Sequence, residues 1–191
     1  MARTAGSSGP ETRRRILSAA AELFAEQGFA GARMLDVATR LGISKSALYY
    51  HFASKEDLLE GLVEPIVKGL AAFTEGAESA AMPVEAIVRG YLDLLIAGAP
   101  GLYPVFSDPT VHDVFGGPDD LGNLIRRLEH TLALRLSGPH AQVRAEFVFG
   151  ALRSVVIGRV REGTPVPDEA ERETLIALAL EALQHTPVPA T

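Results

Sequence analysis

Residues 33–55 read RMLDVATRLGISKSALYYHFASK, and this stretch predicts two short helices joined by a tight turn. Apolar residues in its first half recur at the spacing of one helix face: Met34, Val37, Ala38 and Leu41. Gly42 can adopt the left-handed conformation that ends a helix without steric cost, and Ile43 supplies an apolar plug for the turn.

The second helix is predicted over residues 45–52. Ser44 precedes it and can accept a hydrogen bond from the first free backbone N–H groups, as an N-cap does. Leu48 and Phe52 are four residues apart and form its inner face. Two helices joined by a short turn that contains glycine indicate a helix-turn-helix, whose second helix enters the DNA major groove.

The outer face of this second helix has side chains suited to DNA. Lysine neutralises phosphate or donates to guanine, serine and tyrosine hydroxyls reach phosphate oxygens, alanine contacts a thymine methyl group, and histidine adds a donor. The alternative is an ordinary helical corner with solvated polar residues. A capping box, Ser54 with Asp57, predicts a third helix with a lysine in its first turn near the phosphates. The expected DNA contacts are Arg33, Ser44, Lys45, Ser46, Ala47, Tyr49, Tyr50, His51 and Lys55.

Residues 12–60 resemble the DNA-binding region of the TetR family of bacterial transcriptional regulators. The matching segments are TRRRILSAAAELFAEQGF (12–29), LDVATRLGISKSALYYHF (35–52) and SKEDLL (54–59), about a quarter of the chain. The resemblance implies a homodimer on a pseudo-palindromic operator, and a small-molecule effector that releases the DNA. The family usually opens the second helix with threonine or serine, where this chain has Ala32 and Arg33. A hydroxyl cap and phosphate contact are therefore missing, and Arg33 is expected to supply a charge instead.

The bulk composition agrees with a globular protein, because 47% of the 191 residues are hydrophobic. There is no cysteine, which excludes disulfides and thiolate metal sites and fits a reducing compartment. No stretch approaches the roughly 20 apolar residues of a membrane span, and the N-terminus has no apolar signal segment. We therefore expect a cytoplasmic protein.

The net charge of −6 is unevenly distributed. Residues 1–60 hold eight basic and seven acidic residues, whereas residues 61–191 hold ten and seventeen. Between residues 28 and 55, four basic residues stand against Asp36 alone. The positive potential is thus local to the expected DNA face.

We expect an all-α fold: an N-terminal three-helix DNA-binding domain with a helix-turn-helix, followed by a larger helical ligand-binding and dimerisation domain. The proposed division is a flexible arm at 1–10, the DNA-binding domain at 11–60 and the C-terminal helical domain at 61–191. A connecting helix should run on from residue 55 with a kink or break at Pro65, which is either a hinge or a static bend. Further helices are predicted at 12–27, 84–97, 121–136, 141–161 and 168–184, with a break at 98–101 and irregular structure at 102–120.

The last two predicted helices carry the dimerisation hypothesis. The first is apolar on nearly every side, which predicts burial on both faces, and the second has a wide apolar face. A small protein should not leave so much apolar surface open, so we expect a two-fold four-helix contact with a second copy. The alternative is burial wholly within one subunit. The expected interface residues are Gly150, Ser154, Ile157, Gly158, Leu175, Ala179 and Leu183.

The sequence supports an effector site more weakly. Aromatic side chains and one charge in the C-terminal region are candidates for its lining, although each also fits ordinary core or surface. Arg153 is the strongest, because a charge in an apolar helix needs a partner, an edge or an anionic ligand. The full set is Tyr91, Tyr103, Phe106, His112, Phe115, Phe147 and Arg153.

Catalytic motifs are absent from the sequence. It contains no G-x-S-x-G, Walker loop, G-x-G-x-x-G or H-E-x-x-H, and its five histidines show no metal-ligand spacing. We therefore expect a DNA-binding regulator, not an enzyme, with no metal or cofactor. It is most simply a repressor released by a small effector. The alternatives are a regulator whose C-terminal domain only dimerises or binds a protein partner, and a helical binding protein that has lost DNA recognition.

Overall fold

The structure, a computed structural model, describes residues 9–80, 82–107, 111 and 121–184. Its described residues form helices and no strands, so the predicted all-α fold is confirmed. In chain order the helices are α1 (Gly9–Gly31), α2 (Met34–Leu41), α3 (Lys45–His51), α4 (Lys55–Ser79), α5 (Val84–Ser107), α6 (Leu121–Ala133), α7 (Ala141–Glu162) and α8 (Glu169–Gln184). No helix within these ranges is both long enough and apolar enough to cross a membrane.

Helices α1 to α3 and the start of α4 enclose the core of the N-terminal region. Gly28, at φ 71° and ψ 161°, interrupts α1, and Phe29 then packs edge-on against Phe24 with ring centroids 5.2 Å apart. Helix α1 begins at Gly9, three residues before the predicted start, with Pro10 in its first turn, a position that suits proline. Residues 1–8, most of the expected arm, lie outside the described residues.

The turn between α2 and α3 has the predicted chemistry. Gly42 is left-handed at φ 64°, and the N–H of Ile43 donates to the carbonyl of Ala38 at 3.1 Å, as in a Schellman motif. The Ser44 hydroxyl accepts from the N–H of Ala47 at 3.1 Å and so caps α3. These local contacts fix the direction in which α3 leaves α2.

Helix α4 connects the N-terminal region to the rest of the chain. Ser54 and Asp57 form the predicted capping box at its start. The helix is continuous through Pro65, so the break considered there is not observed. Pro65 lies on the exposed side of α4, and the core residues on its other side keep the helix packed.

Helix α5 corrects two predictions. It runs to Ser107 through Pro100 and Pro104, without the expected break at 98–101 or irregular structure over 102–107. Each proline lacks an N–H, but Leu102 between them and Val105 after them are buried against neighbouring helices, and this packing outweighs the lost hydrogen bonds. The remaining part of the predicted irregular stretch lies almost wholly outside the described residues.

Close approach of α5 to α4 depends on two glycines of α5. A Cβ atom at Gly101 would lie 3.0 Å from the carbonyl oxygen of Leu62, and one at Gly98 would lie 3.0 Å from the Ile66 side chain. The backbones of the two helices therefore meet where the N-terminal region joins the helical bundle.

We expect Gly101→Ala to lower the free energy of unfolding by about 1–3 kcal/mol, because backbone atoms must move to admit the methyl group. Gly76→Ala is the matched control, since nothing lies within 4 Å of its added Cβ. Alanine there should stabilise the helix by about 0.5–1 kcal/mol. Urea unfolding followed by circular dichroism measures both, and equal effects of the two substitutions would contradict the close packing.

Helices α7 and α8 close the C-terminal end of the bundle. Arg144 of α7 is buried and donates to the carbonyls of Leu183 at 2.6 Å and Ser137 at 2.5 Å. Ion pairs also join α5 to α8, through Arg89 with Glu173 and Arg172 with Asp93. The ends of α6, α7 and α8 are thus held to one another.

Candidate nucleic-acid interface and ligand cavity

Helix α3 presents its two tyrosines outward. Leu48 is fully buried and anchors the helix, whereas Tyr49 is 43% exposed and Tyr50 is 85% exposed. The Lys45 ammonium lies 5.5 Å from the Tyr49 ring centroid, and the rings of Tyr50 and His51 meet edge to face at 5.2 Å. The exposed surface of α3 is therefore basic and aromatic.

Small side chains complete this surface. Ser44, Ser46 and Ala47 are all exposed, and the hydroxyls of Ser44 and Ser46 lie 3.0 Å apart. The Ser44 hydroxyl also caps α3, so one of its acceptor sites is already occupied. Ser46 and Ala47 do not cap the helix, and their exposed side chains can meet a DNA surface.

Arg33 stands at the start of α2 in the position of the missing hydroxyl cap. Its backbone is extended, at φ −121° and ψ 147°, and no side chain caps the helix. Its side chain is exposed. A phosphate in that position would be favoured by both the guanidinium and the helix end.

Two of the four basic residues between 28 and 55 contact other parts of the protein and do not extend from the expected DNA surface. Lys55 is half-buried, donates to the carbonyl of Phe29 at 2.6 Å, and lies 4.4 Å from the Phe29 ring centroid. Its expected place beside phosphate is therefore corrected, since it ties α4 to the end of α1. Arg40 pairs with Glu26 of α1 at 2.6 Å, and this partner lowers the pKa of the Glu26 carboxyl. Arg33 and Lys45 remain as the outward charges of the interface.

A small apolar cavity lies between α4, α5 and α6. Its volume is about 10 Å³, and its wall includes Ile66 and Leu70 of α4, Tyr91 and Phe106 of α5, and Ile125 of α6. Such a volume holds at most about one water molecule. Tyr91 is stacked on Phe149 with centroids 4.0 Å apart, and burial raises the pKa of its phenol to about 12.

Three predicted ligand-binding residues line a groove beside this cavity. Tyr103 and Phe106 are half-buried, and the Arg153 guanidinium lies 5.1 Å from the Phe106 ring centroid. We name this groove, which has a volume of about 500 Å³, the arginine groove. It is lined by Tyr103, Phe106, Ser107, Gly150, Arg153, Ser154, Ile157, Gly158 and Arg161.

Of the other predicted ligand-binding residues, none in the described part of the chain lines the arginine groove. His112 and Phe115 lie outside the described residues. Phe147 is 66% exposed on the outside of α7, so its expected place in a cavity is corrected. Phe149, two residues later, occupies the interior beside Tyr91. Phe149 was not predicted there because an almost wholly apolar helix does not indicate which side faces inward.

Within the single chain, helix α7 is buried on one side only, so the alternative of burial wholly within one subunit is not observed. Side chains four residues apart on its other side are exposed, and Leu178 of α8 lies beside them at 58% exposure. A groove of about 210 Å³ separates the two helices. We call this surface the outer apolar face, formed by Val143, Phe147, Ala151, Val155 and Leu178.

The predicted interface residues lie partly elsewhere. Ile157, Ala179 and Leu183 are buried within the subunit, so little of each side chain is left to contact a second copy. Leu175 lines the groove between α7 and α8. The small residues of the predicted stripe, Gly150, Ser154 and Gly158, line the arginine groove instead.

One charged residue outside the predicted sites is buried near Tyr91. Glu129 of α6 is 8% exposed and makes no ion pair with a described side chain. Burial raises the pKa of its carboxyl, the nearby Glu146 raises it further, and the Arg153 charge lowers it. The sequence could have indicated this residue, because Glu129 lies on the apolar face of α6. A carboxyl on the inner face of a helix needs a partner.

Comparison with known proteins places the N-terminal region in a family. Residues 16–62 match the model of the bacterial regulatory proteins, tetR family. The chain is 43% identical over 68 residues to the HTH-type transcriptional regulator UidR of Escherichia coli K12, and the match covers 35% of each chain. It is 30% identical over 105 residues to the HTH-type transcriptional activator FasR of Mycolicibacterium smegmatis, covering 53% of this chain and 48% of FasR. The chain thus spans about a third to a half of these curated relatives.

The whole fold is similar to that of solved regulators. The TetR family transcriptional regulator PfmR from Thermus thermophilus superposes with a TM-score of 0.65 at 25% identity, over 91% of this chain and all of PfmR. The likeness covers both the helix-turn-helix region and the helical bundle that follows. The N-terminal region thus belongs to the TetR family of bacterial regulatory proteins, and the chain as a whole has the fold of a solved member of that family.

Proposed function

We propose that the protein is a sequence-specific DNA-binding transcriptional regulator, with residues 11–60 as its DNA-binding domain. The observation that carries this proposal is the outward position of Tyr49 and Tyr50 on a helix whose Leu48 side is fixed in the core. Phosphates and base edges match the hydroxyls of these tyrosines and the ammonium of the neighbouring Lys45. Arg33, Ser46, Ala47 and His51 complete the proposed contacts.

The proposed active form is a homodimer. The outer apolar face supports it, because large exposed side chains on two adjacent helices match a two-fold contact with the same face of a second copy. Two recognition helices can then address successive major grooves roughly 34–36 Å apart, which requires a pseudo-palindromic operator.

The regulatory proposal is a repressor that a small effector releases from DNA, acting in the bacterial cytoplasm. The cavity between α4, α5 and α6 supports it, because α4 lines the cavity and also begins beside α3. A ligand that enlarges the cavity would displace α4 and thereby the recognition helix. The small volume of the cavity favours the second candidate, a regulator whose C-terminal domain only dimerises.

A gel-shift titration with the DNA upstream of the protein's own gene tests the function. We expect a discrete complex that competitor DNA of unrelated sequence does not abolish, and an affinity that falls steeply as salt rises. A complex that unrelated DNA removes equally well would contradict sequence-specific recognition. Adding small apolar compounds to the same titration separates the two candidates, since the second predicts no release by any of them.

A further inference from the structure

Three polar side chains, those of Tyr91, Arg153 and Glu129, lie near one another beside the apolar cavity. Tyr91 is 1% exposed, and its hydroxyl is one of the few buried polar atoms without a hydrogen-bond partner in the described part of the chain. The Arg153 guanidinium is near enough to lower the pKa of this phenol, but the contact falls short of hydrogen-bond geometry. Glu129 is also close enough to influence the phenol.

An unpaired hydroxyl at this depth needs an explanation. Buried polar groups in folded proteins are almost always hydrogen-bonded, and leaving one unpaired lowers stability. Tyr91 cannot turn away, because its ring is held flat against Phe149. The hydroxyl of Tyr91 is therefore available as a donor to a group that binds beside it.

The surroundings of this donor define the chemistry of that incoming group. On one side is the apolar cavity, whose wall includes Leu95, Leu102 and Ile125. On the other is the arginine groove, and Phe106 lines both. A molecule that spans the two spaces would be apolar at one end and anionic at the other.

We propose that the effector is an apolar monocarboxylic acid, whose hydrocarbon part enlarges the cavity and whose carboxylate accepts hydrogen bonds from Tyr91 and Arg153. This proposal rests on the proposed function and names the ligand class of the same site. Arginine matches a carboxylate through two parallel N–H groups, and the phenol adds a third donor. Glu129 lies near the same position, and burial raises the pKa of its carboxyl, which disfavours a negative charge beside the ligand.

The same geometry explains how occupancy would reach the DNA. Ile66 and Leu70 form the α4 side of the cavity, and the Ile66 side chain would lie 3.0 Å from a Cβ atom added at Gly98 of α5. The cavity is too small for a hydrocarbon chain unless α4 and α5 separate. Ligand entry would then disturb the closely packed joint between the bundle and the N-terminal region.

A matched set of probes tests the ligand class. Octanoate, octan-1-ol and octylamine share one hydrocarbon chain and differ in the head group, and 4-phenylbutyrate with 4-phenylbutan-1-ol repeats the comparison with an aromatic body. We expect at least one acid to raise the melting temperature in a dose-dependent way, with its alcohol binding at least about 10-fold more weakly. An alcohol or amine that binds as tightly as its acid would overturn the proposal.

Substitutions assign the effect to the site. Arg153→Gln should weaken acid binding at least about 10-fold, and Tyr91→Phe should weaken it about 3- to 10-fold. Glu129→Gln should not weaken it, because the amide can donate a hydrogen bond and carries no negative charge. Arg127→Gln is the control, since Arg127 pairs with Glu78 on the surface. Calorimetric titration of each variant measures these ratios. Equal binding by the wild type and Arg153→Gln would refute the assignment.

Tyr91→Phe has a second readout that a merely structural tyrosine would not give. Removing an unsatisfied hydroxyl should leave the melting temperature of the free protein unchanged or higher, while the shift caused by the acid becomes smaller. A lower melting temperature without ligand, and an unchanged acid-induced shift, would show that the phenol is structural. Because these measurements contain no DNA, they remain informative if the gel-shift experiment rejects the proposed regulator.

Discussion

Replacing Lys45 and Tyr49 together by alanine is expected to weaken operator binding about 100-fold or more. Each side chain is exposed on α3 beside the other, and one lost DNA contact costs about 1–3 kcal/mol. Loss of the lysine should also reduce the dependence of log affinity on log salt by about one. Gel-shift titrations at several salt concentrations measure both quantities.

Lys68→Ala is the matched control for the lysine. Lys68 is an exposed lysine of α4 that pairs with Glu64, four residues before it on the same helix. Removing it should change neither operator affinity nor the salt dependence appreciably, because exposed pairs contribute little. If Lys68→Ala and the α3 double variant lose affinity equally, the loss reflects net charge, and α3 is not the DNA-contacting surface.

The second large effect is expected at the outer apolar face. Phe147→Glu combined with Leu178→Glu should convert the dimer to a folded monomer, because each carboxylate would be buried against apolar side chains of the partner. Operator affinity should then fall by about 100-fold or more, since the two half-sites are no longer bound by one linked molecule. Sedimentation velocity at micromolar concentration and gel shift measure the two effects.

Leu134→Glu provides the control for this substitution. Leu134 is 69% exposed, much as Phe147 is, but it lies after the end of α6 and outside the outer apolar face. This variant should sediment as the wild type does. A double variant that remains dimeric, or a wild type that is monomeric at the same concentration, would contradict the proposed interface.

Local chemistry explains why the N-terminal region could be predicted from the sequence. Gly42 ends α2, Ser44 caps α3 and Ser54 caps α4, and each of these acts on residues within about four positions of itself. The apolar spacing of α2 and α3 likewise identifies their inner sides. Signals of this kind need no knowledge of the tertiary structure.

Tertiary contacts account for what could not be predicted. Pro100 and Pro104 indicate a helix end, but burial of α5 keeps it helical to Ser107. Lys55 has the composition of a phosphate contact, and only the fold reveals that the carbonyl of Phe29, 26 residues earlier, is its partner. These outcomes depend on residues distant in sequence, where propensity is overridden by packing.

The inner side of helix α7 also could not be predicted from the sequence. A helix with apolar residues on nearly every side has no preferred phase, so Phe147 and Phe149 were equally good candidates for the interior. The structure separates them, with Phe149 against Tyr91 and Phe147 on the outside. The predicted ligand-binding and dimer residues on α7 depended on knowing which side of the helix faces inward. The predicted DNA contacts on α3 did not, because the spacing of Leu48 and Phe52 identifies the inner side of that helix.

The most direct test of the central claim is selection of DNA from a random library by the purified protein. If α3 of two linked subunits reads successive major grooves, the enriched sequences should contain an inverted repeat with half-site centres about 10 base pairs, or a multiple of that, apart. The Lys45→Ala, Tyr49→Ala double variant should enrich no such repeat. Selection of no common sequence by the wild type, or of the same repeat by the double variant, would contradict the account.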